Sequence, residues 1–132
     1  DFHFMVQKEM ADRFAASPGS KSWGRLSIMI QTSFEVSRIF DVAPSAFRPQ
    51  PKVWSSFIRM VPVENQLDDQ KMKVLNGILR NAFSGRRKKI QNSLSSFDID
   101  WRSLALDPSK RADQLTMEDY LQLTNSLTDE ER

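Results

Sequence analysis

The chain has 132 residues and a mass of 15.3 kDa, with 19 basic against 17 acidic side chains and an isoelectric point near 9.1. This balance is typical of a folded globular protein with one domain or two small lobes. The absence of cysteine excludes disulfides and thiolate ligands, and a single histidine, His3, argues against a histidine-based metal cluster or a Ser-His-Asp triad. No run approaches the roughly 20 apolar residues of a membrane span. We therefore expect neither a metal nor a membrane partner.

Glycine is too sparse to form a nucleotide-binding turn. The four glycines, Gly19, Gly24, Gly77 and Gly85, never stand close enough for a G-x-G-x-x-G or P-loop motif. The sequence therefore predicts no cofactor site on a glycine-rich loop of this chain. The chain begins at Asp1 without the basic and apolar regions of a signal peptide, and we expect it to be part of a longer protein.

The first half of the chain carries strand and helix patterns in alternation. Strands are expected at residues 2–7, 34–42 and 53–61, and helices at 8–16 and 25–32. The last two strands flank a proline-rich loop and can pair as an antiparallel hairpin. Three strands alone leave edges and apolar faces uncovered. We therefore expect the partners of strand 2–7 to lie outside this chain.

After residue 70 the apolar pattern takes the helical period. It predicts a long helix through 72–83, a second through 90–97, a short third through 101–106, and a last helix behind a capping box of Thr116 and Asp119. The chain is thus divided into an α/β portion at 1–62, a polar linker at 63–70 and an all-helical domain at 71–132. Trp23, in an earlier loop, is expected to pack in the interior.

Positive charge is concentrated in one segment. Seven basic residues and no acidic residue lie between Lys71 and Phe97. Four of them form the run Arg86-Arg87-Lys88-Lys89, which the pattern places in the first turn of a helix. Cations there oppose the helix dipole, and a nucleic-acid phosphate would offset that repulsion. The run is interpreted as a nucleic-acid contact together with Lys71, Lys73 and Arg80, and the alternative is a solvated cluster without a ligand.

The string Phe47-Arg48-Pro49-Gln50-Pro51-Lys52 is the second candidate site. Prolines stiffen the loop, and an aromatic ring held on a stiff loop can stack on an unpaired base. Arg48 and Lys52 can meet phosphates. From spacing alone, the alternative that Phe47 fills the core is favoured.

Several strings taken together resemble the small-subunit ribosomal RNA adenine N6-dimethyltransferases of the KsgA type. They are F-x-P-x-P-K-V-x-S from Phe47 to Ser55, R-R-K-x-I-x-N-S-L from Arg86 to Leu94, and P-x-x-R-A-D-x-L from Pro108 to Leu115. The first string is shared with the large-subunit Erm methyltransferases, and the second points to the small-subunit branch. The resemblance extends over nearly the whole chain and corresponds to the family's C-terminal half. Trp54 stands where members more often have an acidic residue.

The resemblance implies an α/β plus all-α fold: the last three strands of a Rossmann-like S-adenosylmethionine methyltransferase sheet, followed by a small helical domain that docks on rRNA. Members convert two adjacent adenines near the 3′ end of small-subunit rRNA to dimethyladenine during ribosome biogenesis. For this protein the resemblance implies a cytoplasmic enzyme that acts on rRNA in the immature small ribosomal subunit. Phe47 would face the flipped adenine. The implied RNA-binding residues are Arg48, Lys52, Lys71, Lys73, Arg80, Arg86, Arg87, Lys88, Lys89 and Arg111.

The family's motifs for S-adenosylmethionine and for the adenine amino group, G-x-G-x-G and N-L-P-Y, do not occur in this sequence. We therefore expect the parent protein to use S-adenosylmethionine, and this chain alone to have no cofactor site, no catalytic residue and no activity. Two alternatives remain: a non-enzymatic RNA-binding module of ribosome assembly, and the related mitochondrial transcription-factor branch.

Overall fold

The structure is a computed structural model that describes residues 1–128. Three strands and five helices follow one another along the chain. They are β1 (Phe2–Gln7), α1 (Lys8–Phe14), α2 (Arg25–Gln31), β2 (Phe34–Val42), β3 (Ser55–Pro62), α3 (Asp69–Ser84), α4 (Ile90–Ser93) and α5 (Met117–Thr128). Short 3-10 turns lie at Pro44–Ala46, Trp101–Ser103 and Ala112–Gln114. Among the described helices, none is long and apolar enough to cross a membrane. Residues 129–132 of the predicted helical domain lie outside the described residues.

The three strands form one antiparallel sheet with β3 in the centre. The predicted hairpin between β2 and β3 is confirmed. The expectation that the first strand has no partner in this chain is wrong, because β1 pairs with β3 along its whole length, from Phe2 opposite Met60 to Gln7 opposite Ser55. The hairpin leaves the second edge of β3 with unpaired backbone groups, and β1 satisfies them.

One face of the sheet packs against the first two helices. Ile58 and Met60 of β3 are buried there with Ala11 of α1, and Phe14 and Ile30 pack around them. The opposite face carries a row of aromatic rings, in which Phe57 stacks between Phe40 and His3 at centroid distances of 5.2 and 5.8 Å.

The second apolar core joins the two halves of the sequence. Trp23 and Ile28, which precede the predicted boundary at residue 62, are buried with Leu75, Ile78 and Leu79 of α3. The predicted burial of Trp23 is confirmed: the ring is 1% exposed, and its Nε1 donates to the Leu115 carbonyl at 2.9 Å. The division at 62 remains a prediction about domains, but the helical core includes residues from both sides of it.

Two predicted helices are much shorter in the structure. The segment predicted as a helix at 90–97 forms a single helical turn, Ile90–Ser93. The segment predicted as a helix at 101–106 forms only the 3-10 turn Trp101–Ser103. Serine, asparagine and aspartate compete with helical hydrogen bonds through their own side chains. Ser93 Oγ donates to the Gly85 carbonyl, and Ser103 Oγ donates to the Asp100 carbonyl. The Ser103 bond is local, and the Ser93 bond joins α4 to the end of α3, so apolar periodicity alone overestimates both helices.

The capping box at the start of α5 is confirmed. The Thr116 amide donates to Asp119 Oδ2 at 3.0 Å, and the Asp119 amide donates to Thr116 Oγ1 at 3.1 Å. Tyr120, the next residue after Asp119, is buried, and this burial raises the pKa of its hydroxyl far above the usual range. The hydroxyl donates to the Ala112 carbonyl at 2.6 Å. The capped helix thus holds the 112–115 segment against the core.

Replacing Trp23 with phenylalanine should destabilise the chain by about 2 kcal/mol, because the buried Leu115 carbonyl loses its donor and a small void opens. Urea denaturation measures this as a lower midpoint with an unchanged m-value. The matched control is Trp54→Phe, at a ring that is 49% exposed, where a change below about 0.5 kcal/mol is expected. Equal midpoints for the two variants would contradict the proposed importance of the Trp23 hydrogen bond.

Candidate nucleic-acid interface

The loop of residues 43–54, here called the proline loop, projects from one end of the sheet. It joins Val42 of β2 to Ser55 of β3, which are directly opposite each other and next to Gln7, the last residue of β1. A short turn begins the loop, with the Phe47 amide donating to the Pro44 carbonyl at 3.2 Å. The predicted residues of this loop are therefore displayed together at one end of the sheet.

Phe47 is half-buried and belongs to neither apolar core. The interpretation that it fills the core is wrong, because Phe47 is neither a buried member of an apolar core nor packed against one. Arg48 and Lys52 are exposed on the same loop. Contact between Phe47 and an adenine stays a prediction.

A charged network lies beside the base of the proline loop. Arg38 pairs with Asp12 of α1 and, at 3.1 Å, with Asp41. Ser56, which is fully buried, donates its hydroxyl to Asp41 Oδ1 at 2.6 Å. The hydrogen bond with Asp12 raises the pKa of Arg38, and the Ser56 hydroxyl followed by Arg38 lowers the pKa of Asp41. The network connects β2, β3 and α1 at the foot of the loop.

Sequence reasoning missed this network because β2 contains a bulge. Strand alternation places Arg38 and Asp41 on opposite faces. The register shifts between Arg38 and Phe40, so Ile39 has no partner and both charged residues return to the same face, opposite Ile58 and Ser56. The adjacent apolar pair Ile39-Phe40, which interrupts the alternation, is the signal that could have indicated it.

Replacing Ser56 with alanine should raise the pKa of Asp41 toward its ordinary value of 3.8, because the strongest hydrogen bond to the carboxylate is removed. Carboxyl carbon chemical shifts followed through a pH titration measure this. A lowered folded-state pKa stabilises the fold above the ordinary pKa, and that stabilisation is lost as the pH falls through the folded value. The alanine variant should therefore lose less stability on acidification. The control is Ser37→Ala, at an exposed position of β2, and identical Asp41 titrations in wild type and Ser56→Ala would contradict the assignment.

The basic run lies in a turn and not in the first turn of a helix. Gly85 follows the last residue of α3, the Lys88 amide donates to the Gly85 carbonyl at 2.8 Å, and α4 begins only at Ile90. The predicted placement is therefore wrong, and so is the helix-dipole argument built on it. A turn lets four exposed cations spread into solvent, whereas a helical first turn would hold them against the dipole.

A second loop brings Arg111 to this turn. Lys89 and Arg111 form an antiparallel bridge, and the Ile90 amide donates to the Lys110 carbonyl at 2.7 Å. Arg86, Arg87 and Arg111 then line one open cavity of about 400 Å³, here called the basic cavity, with Asp113 and Gln114 as its other lining residues. Arg87 and Arg111 are 24 positions apart in sequence, so the fold itself assembles the cavity.

The arginines of the basic cavity and the two neighbouring lysines have no ion-pair partner in the described chain. Between residues 1 and 128, no carboxylate oxygen lies within 4.0 Å of the charged groups of Arg86, Arg87, Lys88, Lys89 or Arg111. The three guanidinium groups outnumber the one lining carboxylate, Asp113, so the cavity keeps an excess of positive charge that an entering anion would offset. Guanidinium pairs well with phosphate through two parallel hydrogen bonds. The arrangement is therefore suited to an oxyanion such as a phosphate of a nucleic acid.

The remaining predicted cations do not join this cavity. Lys71 and Lys73 lie in the first turns of α3, about 20 Å along the helix from its last residue. Arg80 is exposed about one and a half turns before Gly85. The continuous basic surface that the sequence suggested is thus divided into the basic cavity, with Arg80 on the neighbouring helix, and a separate pair of lysines at the far end of α3.

Comparison with known proteins identifies the family. The sequence model described as "Ribosomal RNA adenine dimethylase" matches residues 1–129. The chain belongs to this family. Relatives named "Ribosomal RNA small subunit methyltransferase A" include one from Aromatoleum aromaticum, 43% identical over 128 residues that cover 95% of this chain and 48% of the relative. Another, from Aeromonas hydrophila, is 40% identical over 135 residues that cover all of this chain and 50% of the relative.

The chain spans about half the length of the curated relatives it matches. These matches confirm the predicted family. They do not bear out the prediction that this half is the C-terminal one.

Solved structures give the fold. A dimethyladenosine transferase from Plasmodium falciparum superposes with a TM-score of 0.74 at 24% identity, covering 92% of this chain and 54% of that structure. The 23S rRNA methyltransferase ErmE superposes with a TM-score of 0.68 at 21% identity, covering 95% and 53%. The arrangement of strands and helices in this chain is therefore one that occurs in rRNA methyltransferases.

Proposed function

We propose that the parent protein is an S-adenosylmethionine-dependent rRNA adenine N6-dimethyltransferase, and that this chain supplies its rRNA-docking surface and one wall of the adenine pocket. The observation that carries the proposal is the convergence of Arg86, Arg87 and Arg111 on one cavity, where Asp113 also lies but none of the three arginines has a described carboxylate within 4.0 Å. The relatives are named as rRNA methyltransferases, which supports an rRNA substrate. The substrate is two adjacent adenines near the 3′ end of small-subunit rRNA, reached in the cytoplasm on the immature small ribosomal subunit.

Docking through the basic cavity is electrostatic. Each arginine that replaces a counterion on a phosphate makes binding depend on salt, and the two-loop construction sets the spacing of the three guanidinium groups before RNA arrives. Phosphate contacts of this kind fix the orientation of the RNA without reading its sequence. Lys88 and Lys89 extend the positive surface, and Arg80, Lys71 and Lys73 guide RNA along α3.

The proline loop is the proposed adenine-facing element. A base whose amino group is modified must leave the helical stack, and an aromatic ring can hold it there. Phe47 is only half-buried and lies outside both cores, so its ring is free for this role. Arg48 and Lys52, exposed on the same loop, can hold the phosphates on either side of the flipped base.

The described residues do not fit an S-adenosylmethionine site. In methyltransferases of this type the cofactor lies against a glycine-rich loop, whereas the four glycines of this chain stand too far apart to form one. We therefore assign the cofactor to other parts of the parent protein. This chain would contribute RNA orientation, which is a precondition for methyl transfer because the adenine nitrogen must be aligned with the methyl group.

A non-enzymatic role in ribosome assembly is the second candidate. The same basic cavity favours it, because RNA binding through three arginines needs no cofactor. The full-length protein separates the two candidates, since an enzyme methylates small-subunit rRNA in the presence of S-adenosylmethionine and an assembly factor only binds it.

Substituting glutamine for Arg86, Arg87 and Arg111 should weaken binding to a small-subunit rRNA hairpin and lower the slope of log affinity against log salt by about 2 to 3, roughly one for each lost phosphate contact. Fluorescence anisotropy at several salt concentrations measures both quantities. The control triple variant replaces Arg25, Arg59 and Arg102, which line neither the basic cavity nor the proline loop, with glutamine and changes the net charge equally. Equal losses of affinity in the two variants would contradict the proposed site, because the loss would then follow net charge alone.

The 132-residue chain, incubated with labelled S-adenosylmethionine and unmethylated small subunits, should transfer no methyl group while still binding RNA. Scintillation counting of the recovered rRNA measures transfer, with a full-length relative as the positive control. Incorporation of label by this chain would contradict the proposal that the cofactor site lies elsewhere in the parent.

A further inference from the structure

A groove at the end of the proline loop shares no lining residue with the basic cavity. It has a volume of about 370 Å³ and is formed by Lys52, Val53 and Trp54 on one side and by the end of β1 and the first residues of α1 on the other. Trp54 is the largest apolar side chain in it. The groove is therefore a half-open space that combines an indole ring with charged groups.

The backbone of Trp54 is fixed by hydrogen bonds, whereas its side chain is half exposed. Its carbonyl accepts a hydrogen bond from the Lys8 amide at 2.9 Å, and the next residue, Ser55, pairs with Gln7 in the sheet. The side chain nevertheless remains 49% exposed. A fixed backbone limits where the ring can point, and an exposed indole face gains free energy when a flat apolar group covers it.

The charges of the groove leave one cation without a partner. Asp12 is already paired with Arg38 and with Lys8, the latter at 3.9 Å, and Glu9 is paired with Arg13 at 3.1 Å. In the part of the chain that the structure describes, no carboxylate lies within 4.0 Å of Lys52. The groove therefore offers an aromatic face next to an available positive charge.

We propose that this groove is a subsite for one unpaired nucleotide of the RNA substrate, whose base stacks on Trp54 and whose phosphate meets Lys52. The proposal rests on the proposed function, because it takes the RNA as given. A nucleotide is the ligand that combines a flat π-face with an adjacent negative charge, and stacking of this kind accepts any base. Since the groove adjoins the proline loop, the nucleotide would lie close to the flipped adenine and help to hold the strand open.

The test measures binding of a fluorescein-labelled decauridylate, which has no stable base pairing, to the full chain. The variants are Trp54→Leu, Trp54→Phe and Lys52→Gln, and the matched control is Ile39→Ala, an exposed apolar residue of the β2 bulge outside the groove. Anisotropy gives the affinity and its salt dependence, and tryptophan emission reports on the indole. Circular dichroism verifies that each variant is folded.

We expect Trp54→Leu to weaken binding about tenfold with an unchanged salt slope, Trp54→Phe to retain most of the affinity, and Lys52→Gln to lower the slope by about one. RNA should quench tryptophan emission strongly in the wild type and much less in Trp54→Leu, because, of the two remaining tryptophans, Trp23 is buried and Trp101 packs partly against the helical core, outside the groove. Ile39→Ala should bind like the wild type.

Wild-type affinity in Trp54→Leu would overturn the subsite, and so would an equal loss in Ile39→Ala. Uridine monophosphate is the second comparison. If it produces the same saturating quenching as the oligonucleotide at equal concentration, the groove binds a free nucleotide, and the proposed RNA subsite is overturned. If glutamine at Arg86, Arg87 and Arg111 still weakens RNA binding while Trp54→Leu does not, only the subsite fails. If neither change has an effect, the proposed function fails with it.

Discussion

The position of Arg111 depends on two hydrogen bonds that join the loop between α1 and α2 to the 111–115 segment. Gly19, which adopts the left-handed conformation at φ +83°, donates its amide to the Asp113 carbonyl at 2.9 Å, and Trp23 donates its indole N–H to the Leu115 carbonyl at the same distance. Both bonds join residues more than ninety positions apart. They fix the segment against the helical core, and the bridge from Lys89 then sets Arg111 beside Arg86 and Arg87.

This construction explains why like charges are tolerated together. The apolar core that includes Leu75, Ile78 and Tyr120 stabilises the folded state. The like charges of the basic cavity repel each other and lower that stability. Functional sites commonly retain such locally unfavourable arrangements because a ligand offsets them. The proposed ligand is a phosphate of rRNA, and under that proposal the feature that weakens the free protein would strengthen the complex.

Apolar periodicity predicted most of the secondary structure, and it failed where polar side chains intervene. The strands were placed within two residues, since alternation over β-branched and aromatic residues has few other interpretations. The helix expected through 90–97 ends after one turn, where the Ser93 hydroxyl donates to the Gly85 carbonyl at the end of α3 instead of the chain continuing as a helix. The partner of β1 could not be predicted, since strand order depends on long-range pairing.

The site residues were predicted by type and charge, but their grouping was not. Arg111 was named from a string, and only the fold shows that it meets Arg86 and Arg87 while Lys71 and Lys73 lie at the other end of α3. The Arg38 network was missed because a one-residue bulge reverses the face of Asp41. Side chains far apart in sequence come together through backbone geometry, which a pattern of residue types does not contain.

The most direct measurement is a nuclear magnetic resonance titration of the nitrogen-15-labelled chain with an rRNA hairpin from the 3′ end of the small subunit. The account predicts that the amide signals of 85–89 and 111–114 shift first and together, with those of the proline loop, because these segments form the RNA surface. Shifts confined to the exposed sheet face around Phe40 and Arg59, with the signals of 85–89 and 111–114 unchanged at saturation, would contradict it.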